Sequence, residues 1–287
     1  MTAEHAGRGA RAGTVDVFGG TTAELTWYEV ERAARRGAVL LWAFGVLEQH
    51  GPHLPTGTDV YLPSAHLQEV RAALAGRGVE ALVVPPFYWG VNVVSAGFPA
   101  SYSVRPEIIR EVMADLVAGM ARDGFGSVFC FSGHGDALHN ETVHAGARLA
   151  AERTGVDVSF VADPALVARL GLSPDDPHLT VTDPAGERPA RAGAGIDVHA
   201  GRWESAMMMV SCPDLVREET RRTLRPTGLG AADLAVWRRG AGHARRTTPQ
   251  GYLGDPAAAS AAEGDHLFAE AARLAAEAVV RRLAAVR

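Results

Sequence analysis

Lysine is absent from all 287 residues, so the 28 cationic side chains other than histidine are arginines. Schiff-base catalysis, Ser-Lys dyads and P-loop phosphate binding each need a lysine amine, and all three are excluded. Cysteine is almost absent. Cys130 sits inside an apolar run and Cys212 beside Pro213, which makes no disulfide framework, and a reducing cytoplasm is the expected compartment. No apolar run reaches the roughly 18 residues of a membrane span. The opening "MTAEHAGRGARAGT" has no hydrophobic stretch of a signal peptide, and reads as a disordered leader over residues 1–14 ahead of one domain over 15–287. The net charge of −5 comes without a block of like charges, so neither nucleic acid nor membrane is expected as a partner; a small-molecule substrate is.

Several catalytic signatures are missing too. There is no G-x-S-x-G elbow, since "FSGHG" puts Ser132 in the wrong frame. There is no H-E-x-x-H, and "GHGDALHN" lacks the G-x-G-x-x-G spacing of a phosphate loop. Cys130 lies in an apolar strand pattern, which excludes it as an exposed nucleophile.

What is present is an alternation of strands and helices. The runs "AVLLWAFG", "EALVVPP", "SVFCFS" and "DVSFVA" are short and apolar, as strands buried on both faces are. Between them stand helical patterns: "TWYEVERAARRG", with Thr26 and Glu29 at capping-box spacing, "YLPSAHLQEVRAALAGRG", "RPEIIREVMADLVAGMARDG" and "ETVHAGARLAAERTG". A long amphipathic helix is predicted from Pro256 to the end. The alternation predicts an α/β fold, a single three-layer α/β/α domain with a mainly parallel sheet. Residues 163–197, broken by Pro, Gly and Asp, read as an insertion or flap over the site.

Ligand-type side chains gather where such sheets place their sites, at strand ends. "LEQHGPHLPTGTD" holds Glu48, His50, His53 and Asp59; "GHGDALH" holds His134, Asp136 and His139; "VHAGRWE" holds His199 and Glu204. Glu48 and His50 are two apart, so in an extended segment both point to one side, and the glycines and prolines that follow let Asp59 return. Carboxylates mixed with imidazoles suit Zn, Mn or Fe(II). Three carboxylates and two histidines suffice for two cations about 3.5 Å apart. His53, His66 and His144 read more simply as structural side chains, Asp136 as a possible turn cap, and Met207, Met208 and Met209 as helix core.

The same segments resemble the creatininase (creatinine amidohydrolase) family. "EQHGPHLPTGTD" looks like its signature, "SGHGD…HN" is similar to its "NGHGGN" element, "HAGRWESAMM" resembles "HAGExETS", and "GYLGDPAAASAAEG" resembles its C-terminal "G-GDP-A--EKG" stretch. The resemblance implies a hydrolase of a C–N bond in a cyclic, formyl or other small amide, with two divalent ions and a hydroxide generated at them as nucleophile. It implies Glu48, His50, Asp59, His134 and Glu204 as metal ligands, Asp59 bridging, and His199 handling the proton. Asp136 falls where creatininases proper carry a Glu near the metals and substrate, and is a catalytic candidate. A homo-oligomer, usually a hexamer, is implied as well. Relatives that open or close a lactam or cyclic ketone, and a non-catalytic metal-binding protein, are the rival readings. The departures concern the substrate: "ESA" replaces "ETS", Arg202 replaces the motif's first Glu, and the loop from Phe87 to Ser103 has its own aromatic lining. Arg202, Trp203, Trp89 and residues 163–197 are where specificity is expected.

Overall fold

In the computed structural model, which describes residues 16–186 and 195–286, the four apolar runs are strands and each is followed by a helix. The chain passes through α1 (Trp27–Arg35), β1 (Val39–Phe44), α2 (Thr58–Ala75), β2 (Ala81–Phe87), α3 (Pro106–Arg122), β3 (Ser127–Ser132), α4 (Ala137–Thr154) and β4 (Asp157–Ala162). It continues through α5 (Pro164–Arg169), β5 (Leu179–Val181), α6 (Arg202–Ser211), α7 (Glu218–Thr223), α8 (Ala231–Trp237), α9 (Gly242–Thr247) and α10 (Ala261–Val286). The strands form one sheet in the order β2-β1-β3-β4-β5, and every pairing is parallel.

Alternation along β1 shows why both faces are covered. Leu40, Trp42 and Phe44 face one core with Ile109 and Met113 of α3 and Val143 and Ala147 of α4. Val39, Leu41 and Ala43 face the other, with Leu67, Val70 and Leu74 of α2 and Ala275, Ala276 and Val279 of α10. Successive strand residues point to opposite faces, and each fully buried Leu, Val or Phe contributes roughly 1.5–3 kcal/mol. The expected three layers are the observed ones.

Two local readings change. Residues 163–197 are not simply a flap: they contain α5, capped by Asp163 accepting from the Leu166 N–H, and the fifth strand, paired with β4. Three residues are too short to show a period. The last helix starts at Ala261, because Pro256–Ala258 forms a separate 3-10 turn. The leader at 1–14 lies outside the described residues, as does 187–194 within the expected flap. Among the described residues no helix is long and apolar enough to cross a membrane, and both cysteines are free and buried.

The sheet order fixes where a site can lie. β2 is on one edge of β1 and β3 on the other, so the connections leaving β1 and β3 diverge and open a crevice at their C-terminal ends. The first turn of α2 drops into it. A Cβ on Gly45, just after β1, would lie 2.0 Å from the Asp59 carbonyl oxygen, and one on Gly133, just after β3, 2.7 Å from the same atom. Only glycine allows that approach.

Candidate metal centre

Six of the seven residues singled out for the site converge in this crevice, all within or just past a strand end or a first helical turn. Glu48 and His50 follow β1, Asp59 sits in the first turn of α2, His134 follows β3, and Glu204 is in the first turn of α6, five residues after His199. Glu48, His50, Asp59, His134 and His199 are buried.

Asp59 divides its oxygens. Oδ1 is 3.2 Å from His50 Nε2, and Oδ2 is 2.8 Å from His134 Nδ1. Glu48 Oε1 is 3.2 Å from His134 Nδ1 and 3.5 Å from His199 Nδ1, and Glu204 Oε2 is 3.8 Å from His50 Nε2. Three ligand groups result: Glu48, Asp59 and His134; His50, Asp59 and Glu204; Glu48, His50 and His199. The first two share only Asp59. The third brings His199, which the resemblance cast as the proton carrier, within ligand reach as well.

The donor set fits a divalent cation. His50 Nδ1 is 3.1 Å from the Glu48 carbonyl, an atom that only accepts, so Nδ1 carries the hydrogen. That leaves the Nε2 lone pair aimed at two carboxylates, and Nε2 is a buried atom without a hydrogen-bond partner, as Asp59 Oδ2 is. A backbone carbonyl fixing the far nitrogen is how ligating imidazoles are held. The electrostatics agree. Burial opposes a charge on His50, but Asp59, Glu204 and Glu48 outweigh it and lift its pKa to about 10. Burial, against the pull of His50, raises Glu204 to about 7. Burial also opposes ionisation of Asp59 and Glu48, but the neighbouring imidazoles hold both below the usual carboxylate range. Without a metal the cluster attracts protons; positive charge is what it lacks.

Of the supporting contacts, the Asp136 cap and the structural role of His53 follow the sequence reading, and that of Ser95 does not. Ser95 Oγ donates to Glu48 Oε2 at 2.5 Å and is itself buried beside Asn92. Asp136 accepts from Leu138 N–H through Oδ1 at 2.9 Å, and from Val93 and Val94 N–H through Oδ2 at 2.8 and 3.2 Å. It therefore caps α4 and fastens the loop that carries Ser95, while still lining the cavity. His199 Nε2 lies 2.8 Å from the Gln49 backbone carbonyl and 3.0 Å from the Gln49 side-chain nitrogen; the shorter contact puts the hydrogen on Nε2 and leaves Nδ1 to accept. Burial first, then His50, keeps His199 neutral, with a pKa near 4. Backbone bonds between His199 and Leu253 pin it to the "GYLGDP" segment. His53, held by Ser205 at 2.9 Å, and His139, accepting from Val91 N–H, are buried supports driven neutral by desolvation. His144 pairs with Asp176 and His66 packs edge-on against Phe131.

A cavity of about 750 Å³ opens over the cluster. Trp203 and Trp237 line it; Arg202 instead pairs with Glu263 at 2.8 Å, and Trp89 makes tilted ring contacts with Tyr88 and Tyr102 outside it. A second, more apolar cavity of about 520 Å³ shares His134 and Glu204 with the first and reaches Leu62, Met207 and Phe268.

Comparison with known proteins points the same way. The family described as creatinine amidohydrolase matches residues 23–279. A mycofactocin precursor peptide peptidase of Mycobacterium ulcerans is 28% identical over 235 residues, 80% of each chain. A creatinine amidohydrolase of Pseudomonas putida is 29% identical over 210 residues, 67% of this chain and 72% of the other. A crystal structure of a creatininase superimposes with a TM-score of 0.66 at 25% identity, covering 91% of this chain and 97% of that one. Two further creatininase structures of this fold, with TM-scores of 0.65 and 0.64, are a Zn–Zn and a Mn form.

Proposed function

Because this chain belongs to the creatininase family of metal-dependent amidohydrolases, we propose that it hydrolyses the C–N bond of a small cyclic, formyl or simple amide at a two-cation centre. Glu48, His50, Asp59, His134 and Glu204 would hold the cations, Asp59 being the residue common to the ligand group with His134 and the ligand group with Glu204. The observation that carries this reading is the division of Asp59, one oxygen 3.2 Å from His50 and the other 2.8 Å from His134. Two divalent ions in such a site supply Lewis-acid polarisation of a carbonyl and a water that ionises near neutrality.

The chain's own residues do the rest. His199, neutral and with Nδ1 free to accept, takes the proton of the attacking water and returns it to the departing nitrogen. Gln49 holds the ring in that tautomer. Ser95 occupies one oxygen of Glu48 so that the other faces the cluster. Asp136, with both oxygens engaged by backbone N–H groups, is a positioning residue. Trp203 and Trp237 line the cavity and offer flat apolar surfaces to a planar amide.

A peptide amide is the second reading. The 520 Å³ cavity beyond His134 and Glu204 is more room than a small ring needs, and the mycobacterial relative named above is a peptidase. A panel of lactams, formamides and short peptides, assayed for released amine or formate with metal-loaded and chelated protein, tests both. Hydrolysis of one class, abolished by chelator and restored by Zn or Mn, is expected. Turnover insensitive to chelation would refute the metal-centre reading.

A further inference from the structure

The cation ligands form the floor of the 750 Å³ cavity, and two arginines form part of its mouth. Arg169 and Arg238 both line it. Elsewhere arginines are commonly neutralised: Arg36 by Glu80, Arg153 by Glu111, Arg282 by Asp157. Among the described residues neither Arg169 nor Arg238 has a carboxylate within ion-pair distance.

Arg169 is nonetheless held in place, and Arg238 extends from a fixed neighbour. Arg169 ends α5, and its Nη1 donates to the Gly135 carbonyl at 2.9 Å, directly after the ligand His134. Its remaining N–H groups are left for something else. Arg238 follows Trp237, whose Nε1 donates to Thr248 at 3.0 Å and whose ring lies 5.7 Å from that of His199. Burial and then Arg238 lower the pKa of Arg169, while Asp163 and Asp136 pull the other way without offsetting them. Two like charges lining one cavity repel each other, and an anion bound between them relieves that repulsion.

The acids of the mouth only partly fill that role: Asp163 and Asp136 act on Arg169 from beyond ion-pair distance, and their oxygens are engaged by backbone N–H groups. Asp163 caps α5 and Asp136 caps α4. Asp197 accepts from the N–H groups of Arg202 and Asp255. Glu141 lines the cavity without pairing with either arginine.

We propose that Arg169 and Arg238 bind an anionic substituent of the substrate, a carboxylate or a phosphate, while the amide lies at the cation ligands. The planar fork of arginine matches either group. This rests on the amide-hydrolysis reading and narrows it to acidic amides.

Three hydroxamic acids test it, because all chelate the cations alike and differ only in their tails. Metal-loaded protein is titrated calorimetrically with butanohydroxamic, 3-carboxypropanohydroxamic and 3-phosphonopropanohydroxamic acid. An acidic tail should improve affinity at least about tenfold, as charge-assisted bonds do, and the better acid names the anion. In R169Q and in R238Q the preference should shrink to about threefold or less, with metal content and binding of the neutral-tailed compound retained. Equal affinity of all three in the wild type, or a preference that survives in both variants, would overturn the proposal. Protein that binds no cation by elemental analysis would refute the metal-centre reading and remove the inference with it.

Discussion

The floor and the mouth of the cavity are built by opposite means. At the floor, Glu48, Asp59, His50 and His134 are buried, mutually opposed and held by backbone carbonyls, N–H groups and Ser95. At the mouth, Arg169 and Arg238 are exposed, alike in charge and unpaired among the described residues. The floor demands positive charge and the mouth demands negative charge. On the proposed reading the difference separates chemistry from choice: a cation centre that cleaves an amide would serve many substrates, whereas the two guanidinium groups would select among them.

Changes at the floor should therefore remove activity, and changes just behind it should weaken it by degrees. Asp59→Asn removes the shared charge, and both cations and all measurable hydrolysis should be lost while circular dichroism stays unchanged. Retention of two metals would break the bridging assignment. His199→Ala should lower kcat by roughly 100-fold or more with metal retained; loss of a cation instead would move His199 from proton carrier to ligand, the role its place beside Glu48 and His50 also allows. Ser95→Ala frees Glu48 Oε2 and should weaken metal affinity by about 10–100-fold, the range for outer contacts to ligands, read by competition with a chelating dye. Full affinity in that variant would mean Glu48 needs no support.

Acidity gives the smallest and most graded effect. In the metal-free protein Glu204 keeps its proton up to about pH 7 and His50 up to about pH 10. Both must lose it to hold a cation, so raised pKa values mean competition at low pH. Affinity should fall as pH drops through 7, by about tenfold per unit for each proton displaced, and rise above it. A flat profile between pH 6 and 8 would show that neither group binds metal.

Much of the floor was legible because its ligands stand beside strong local signals. The four long strands are mainly apolar runs, and glycines stand next to His50 and His134. Asp59 was found for a partly different reason than expected: the helix starts at Thr58 and carries it into the crevice, rather than a loop folding back. The mouth was much less legible. The segment that holds Arg169 was marked for specificity, but six residues of α5 and three of β5 are too short to show a period. Trp237 and Arg238 come from α8 and the turn after it, short pieces positioned by tertiary contacts such as the Trp237–Thr248 bond. Ser95 is one serine in a short 3-10 turn, Val94–Gly97, and contacts distant in sequence, from Asp136, Ser103 and Ala241, bring that turn to Glu48. Arg202, a departure within a ligand motif, turned out to face Glu263 instead of the cavity. Local pattern reveals what a segment offers; which offers meet is decided by packing across the sheet.

The central claim is a two-cation floor, and elemental analysis of protein purified without chelator tests it most directly, wild type beside Glu204→Ala. The account predicts about two divalent ions per wild-type chain, as shared-carboxylate centres hold, and loss of metal in the variant. One ion or none, unchanged by the substitution, would contradict it.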